Sequence, residues 1–116
     1  MKYFTLDEFD CPSLPNSGKN MDSSFLAKLE QAREIAGIPF KITSGYRTKE
    51  HNAEVGGVQN SSHLIGVASD IAVSSGSERY TILNALIKAG FKRIGVAKTF
   101  IHCDTDSNKS NSVWTY

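Results

Sequence analysis

Two of the three histidines in this chain sit in company that could do chemistry. His63 lies in SSHLIGVASD, seven residues before Asp70, and His102 lies in FIHCD, two residues before Asp104. Neutral imidazole and carboxylate are the ligands of a catalytic zinc, which takes three from the protein and leaves a fourth position for water. His63, Asp70 and the distant His102 supply such a set. Arg47, in SGYR, adds a fixed cation whose planar fork suits a carboxylate or carbonyl oxygen. Each residue also has a plainer reading. His63 could be a capping residue in a Ser-rich loop, Asp70 and Asp104 could end turns, and Arg47 could be a surface cation. His51, in KEHN, reads as a solvated helix residue.

The elements that must position these groups can be read from periodicity and punctuation. If TFIHCD is a strand, Phe100, His102 and Asp104 share one face, and Ile101 and Cys103 share the other. The repeat along that face is roughly 6.6 Å, so one of His102 and Asp104 touches a metal and the other stands beside it. Cys103 then points to the core as a small buried hydrophobe, not as a nucleophile served by its histidine neighbour. DSSFLAKLEQAREIAG is expected to be a helix capped by Asp22 or Ser23, with Phe25, Leu26, Leu29 and Ile35 on one face and Gly37 at its end. SSGSERYTILNALIKAGF is expected to be a second, capped by Ser77, with Glu78 in its first turn, Lys88 in its last and Gly90 beyond. IPFKITS (38–44) and residues 70–73 read as strands, the latter entered from Gly66. KRIGVA, TFIHCD and SVWTY read as three more. CPSLPNSGKNM reads as an irregular loop, and GYRTKEHNAEVGG as a short polar helix or turn closing on Gly56-Gly57. Helices and strands mix without regular βαβ alternation, so the expected class is α+β, an antiparallel sheet flanked by helices in one domain over residues 1–116. Trp114 and Tyr116 could line a groove, but sealing a core edge is the expected role.

Composition narrows the function classes. With 116 residues, a formal net charge of +1 and 40% hydrophobic content, the chain has no basic footprint for nucleic acid. No window is apolar enough to span a membrane, and MKYFTLDEFD does not read as a secretory signal, so synthesis in the cytoplasm is expected. Cys11 and Cys103 are expected as two free thiols. A monomer is expected.

Residues 61–70 also match the S-x-H-x-x-G-x-A-x-D pattern of the M15 family of zinc peptidases. These are D-Ala-D-Ala carboxypeptidases and related peptidoglycan endopeptidases of the hedgehog-like group. TSGYRTKEHNAEVGGVQNS resembles the segment preceding that pattern, and RIGVAKTFIHCD resembles the strand carrying the third ligand. FTLDEFDCP is similar to the short members found in phages and prophages. The resemblance implies a hedgehog/DD-peptidase-like fold, Zn²⁺ held by His63, Asp70 and His102, and Arg47 binding substrate. It places Ser61 near the metal, bonded to Asp70 or to substrate. The implied partner is a peptidoglycan stem peptide, and the implied place of work is the bacterial cell wall. One departure stands out. Relatives carry a catalytic carboxylate three residues before the last histidine, or a second histidine two before it; this chain has Thr99 and Phe100. Asp104 is the remaining candidate base. A second register, with Asp104 as ligand and His102 as acid-base group, stays open. So does a zinc-stabilised wall-binding or phage structural module without activity.

Overall fold

The computed structural model describes every residue from Met1 to Tyr116. Helix α1 runs Ser23–Ala36, α2 Lys49–Glu54 and α3 Gly76–Lys88, and the strands are β1 Ile42–Ser44, β2 Ala68–Ala72, β3 Arg93–Val96, β4 Phe100–Asp104 and β5 Ser112–Thr115. They form one sheet in the order β1-β2-β4-β3-β5. The class is α+β, as expected. The sheet is mostly antiparallel, with one departure: the edge strand β5 pairs parallel to β3.

One face of the sheet carries the core. Ile71, Val73, Ile94, Ile101 and Cys103 point from it toward Phe25, Leu26, Leu29 and Ala32 of α1 and Ile82 and Leu86 of α3. The β4 alternation falls as expected, with Ile101 and Cys103 fully buried on the core side. Burial pushes the Cys103 thiol up to about 12, so it is inert at neutral pH. Cys11 and Cys103 are both free and buried. Phe4 packs edge-on against Phe9, with ring centroids 5.6 Å apart, and also meets Phe40, so the N-terminal segment plugs one end of the core.

Several expectations shift by a turn or less. Asp22 caps α1 by accepting from the Phe25 amide at 2.9 Å, and Gly37 ends it in the left-handed conformation. Ile35, however, is 41% exposed. At about 100° per residue the stripe through Phe25, Leu29 and Ala32 continues to Ala36, leaving Ile35 on the flank. The cap of α3 is Ser75, not Ser77: its hydroxyl accepts from the Glu78 amide at 3.1 Å, while the Glu78 carboxylate takes the Ser74 amide. The S-x-x-E spacing of a capping box selects Ser75. β1 is shorter than residues 38–44 because Pro39 has no N–H to give to a ladder, and a bulge lies between Ile42 and Ser44. The loop over residues 11–21 is more ordered than its composition implies. It holds an isolated Cys11–Leu14 bridge and a turn of 3-10 helix at Ser17–Asn20, with another at Leu6–Phe9 just before it.

Candidate metal centre

The face of the sheet opposite the core holds the chemistry, because register brings one row of residues into line. Ser44 on β1 stands opposite Asp70 on β2, Asp70 opposite His102 on β4, His102 opposite Gly95 on β3, and Gly95 opposite Trp114 on β5. Five strands therefore each contribute one residue to a single rung, and directly opposed side chains on one face touch.

His63 reaches that rung from a turn of 3-10 helix, Ser62–Ile65. Ser61 caps the turn, its hydroxyl accepting from the His63 amide at 3.2 Å. Of the two partners expected for Ser61, Asp70 or substrate, Asp70 is not bonded to it, and its hydroxyl holds the backbone of His63. Gly66 ends the turn at φ +74°, and a Cβ there would lie 2.3 Å from the Asn20 carbonyl oxygen. The Gly66 carbonyl in turn accepts from the Asp22 amide at 2.9 Å, tying the turn to the start of α1. Gly66→Ala is therefore expected to destabilise the fold by about 2–4 kcal/mol, from left-handed backbone strain and a clash with backbone that cannot rotate away. Urea unfolding of the two proteins measures it. An alanine variant within 0.5 kcal/mol of the parent, the usual range for an unconstrained surface change, would contradict this reading.

His63, Asp70 and His102 each offer a ligand atom, and these atoms lie within 4.8 Å of one another. The Asp70 Oδ1 oxygen is 3.4 Å from His63 Nε2 and 3.0 Å from His102 Nδ1. Donors about 2.0–2.1 Å from a tetrahedral zinc stand roughly 3.3 Å apart, so these spacings fit. The tautomers fit as well. His63 Nδ1 is 2.7 Å from the Gly45 carbonyl oxygen, which can only accept, so Nδ1 carries the proton and Nε2 presents its lone pair. His102 Nε2 is 2.7 Å from Asp104 Oδ2, leaving Nδ1 to face Asp70. A ligand imidazole oriented through its far nitrogen by a carbonyl or carboxylate is the usual outer shell of a metal histidine. The residues fit a zinc ion.

Charge in the site is set by these contacts. Burial alone would raise the Asp70 carboxyl, but the hydrogen bond with His102 and the contact with His63 outweigh it and hold the group well below the usual carboxylate range. Burial would lower His102, yet its bonds to Asp104 and Asp70 raise it. A metal bound through His102 Nδ1 would compete with a proton for that nitrogen.

Asp104 differs from the expectation of a free base. It is 1% exposed, and both of its oxygens are engaged. Oδ2 meets His102, while Oδ1 accepts from Arg93 Nε at 2.8 Å and from the Asp106 amide at 3.0 Å. Burial would raise this carboxyl, and the bonds from His102 and the Asp106 amide lower it. The geometry is that of a group holding an imidazole in place.

Arg47 lines the same cleft, a cavity of about 400 Å³. Its Nε donates to Ser44 Oγ at 3.0 Å, one Nη to Asn52 Oδ1 at 3.1 Å and the other to Asp70 Oδ2 at 3.4 Å. Asn52 is buried and also donates to the Val58 carbonyl oxygen at 2.8 Å, so it fixes both Arg47 and the Val55–Val58 rim. The spacing of Asn52 five residues after Arg47 gave no signal of this. Arg93 carries no local signal either, since its partner Asp104 lies on the neighbouring strand. His51 sits on α2 as a half-buried residue outside the cleft lining. Trp114 and Tyr116 do not seal the core edge; both line the cleft.

No helix is long and apolar enough to cross a membrane. No curated protein matches the chain. Residues 2–104 match the sequence profile of Peptidase M15, which takes in the N-terminal plug, the whole metal cluster and four of the five strands and stops short of β5. That match covers most of the 116 residues, and the chain belongs to the Peptidase M15 family.

Proposed function

We propose that the protein is a zinc-dependent peptidase that hydrolyses a peptide bond next to a D-amino acid in bacterial peptidoglycan, as a D-Ala-D-Ala carboxypeptidase or an endopeptidase. The observation that carries this reading is the convergence of His63 Nε2, Asp70 Oδ1 and His102 Nδ1, with the far nitrogen of each imidazole already engaged. When bound, zinc supplies Lewis-acid polarisation of the scissile carbonyl and an acidified water. The chain supplies the rest. Ser61 and Gly45 fix His63, Asp104 fixes His102, and Arg93 fixes Asp104. Arg47, held by Ser44, Asn52 and Asp70, turns its remaining N–H groups to a substrate carboxylate or to the oxygen that gains charge. Asp104 is a positioning residue in this scheme and not the base expected from sequence.

The saturation of Asp104, together with Thr99 and Phe100 at the other two candidate positions, favours a second reading. In it the ion stabilises a wall-binding or phage structural module that cuts nothing. Zinc-loaded protein incubated with purified peptidoglycan separates the two. A peptidase releases D-alanine or new amino termini, loses that activity to a chelator and regains it with zinc. A protein that sediments with the wall and releases neither is the binding module. The substrate and the site of action at the cell wall rest on the family resemblance and on the cleft chemistry.

A further inference from the structure

The cleft is polar at its floor, and its apolar surface is confined to two places. Val55 and Val58 form one rim, and Phe100, Trp114 and Tyr116 form the other. Phe100 of the second rim stands on β4, whereas Trp114 on β5 and Tyr116 just after it lie beyond the residues shared with the family profile. Parallel pairing sets Trp114 opposite Gly95, and Gly95 stands opposite His102. A Cβ on Gly95 would lie 2.6 Å from the indole Nε1 and 2.9 Å from Tyr116 Cε2. The missing side chain is thus what lets the indole lie over β3 and come within 5.5 Å of the His102 ring, centroid to centroid. The Arg93 guanidinium packs 4.9 Å from the indole centroid, and Tyr116 leans on Phe100 at 5.0 Å. None of these three aromatics belongs to the core. Tyr116 is 69% exposed, so the wall faces the open cleft.

We propose that Trp114, seated on Gly95 and flanked by Tyr116 and Phe100, is a specificity-determining subsite that receives an alkyl side chain of the peptide residue adjoining the scissile bond. This rests on the peptidase reading and deepens it. A carbonyl held at the cluster leaves the neighbouring residue about 3.5 Å along the chain, within reach of the indole. An alkyl group there sheds water against the aromatic carbon of Trp114, Tyr116 and Phe100.

Trp114 is the sole tryptophan of the chain, so its emission reports on this wall alone. The zinc-loaded full chain is titrated with diacetyl-L-Lys-D-Ala-D-Ala and with diacetyl-L-Lys-Gly-Gly, followed by Trp114 emission and by calorimetry. The wild type is expected to shift its emission saturably and to bind the alanyl probe about tenfold more tightly, within the range one or two methyl contacts give. Trp114→Ala and Gly95→Ala are expected to bring the two probes within about twofold, read by calorimetry, with zinc affinity unchanged. Trp114→Phe should restore most of the preference, which a merely structural role would not do. Gly95→Ala keeps the indole and only displaces it, so it carries the test if the truncation fails to fold. An alanyl preference unchanged in both alanine variants, or an emission unmoved by bound probe, overturns the subsite. Binding with the expected preference but no cleavage leaves the subsite standing and defeats the peptidase reading. Failure of the wild type to bind either probe defeats both.

Discussion

His63→Ala is expected to weaken zinc binding a hundredfold or more and to remove peptidase activity at ordinary zinc concentrations. A four-ligand zinc site is worth roughly 10–16 kcal/mol, so one ligand accounts for about 3 kcal/mol or more. His63 is 2% exposed and cannot be replaced by a neighbour, since its Nε2 enters the cluster from a capped turn whose far side is anchored on the Gly45 carbonyl. The substitution also orphans that carbonyl, which costs about 1–3 kcal/mol of fold stability if no water replaces the imidazole. Calorimetric zinc titration must therefore be paired with a melting curve of the metal-free variant. A folded His63→Ala protein with undiminished zinc affinity would end the metal assignment.

Asp104→Asn separates three roles that the sequence leaves open. As the positioning residue described above, the asparagine variant is expected to bind zinc about 10–100-fold more weakly, because the far nitrogen of His102 loses its charged partner. Activity should then recover in large part when zinc is raised to saturation. A catalytic base gives the opposite pattern: zinc affinity unchanged, and turnover reduced by orders of magnitude even at saturating metal. Outright loss of zinc binding would favour the register in which Asp104 is itself a ligand. The geometry leans to the first outcome, since Asp104 has one oxygen on His102 and the other shared by Arg93 and a backbone amide.

What the sequence discloses of this arrangement follows physical lines. Alternation along FIHCD puts His102 and Asp104 on one face and Cys103 on the other, because a strand's period is fixed by backbone geometry. The S-x-H-x-x-G-x-A-x-D pattern shows its logic in Gly66, whose φ of +74° lets the 3-10 turn run into β2. Local signals mislead by small offsets where two candidates compete. Ser75 and Ser77 are both good caps, and only the partner at Glu78 decides; Ile35 looks apolar enough for the stripe, yet Ala36 occupies it. The partners that give the site its chemistry are not legible locally. Gly45 reaches His63, Arg93 reaches Asp104 and Asn52 reaches Arg47 through tertiary or cross-strand contact, and nothing in their own neighbourhoods announces it. The parallel pairing of β5 belongs in the same class. A short terminal strand can join either edge in either sense, and its choice is what turns Trp114 from a core residue into a wall of the cleft.

The rung running from Ser44 through Asp70, His102 and Gly95 to Trp114 would make a bound ion a proofreader of assembly. Sliding β2 or β4 by a single residue would swing its candidate ligand to the wrong side of the sheet, so a misaligned fold would forfeit one of the three donors. Cation capture would thereby discriminate among alternative pairings that hydrophobic collapse alone would treat as near equals. The element needed for reactivity would then also enforce the architecture that creates it.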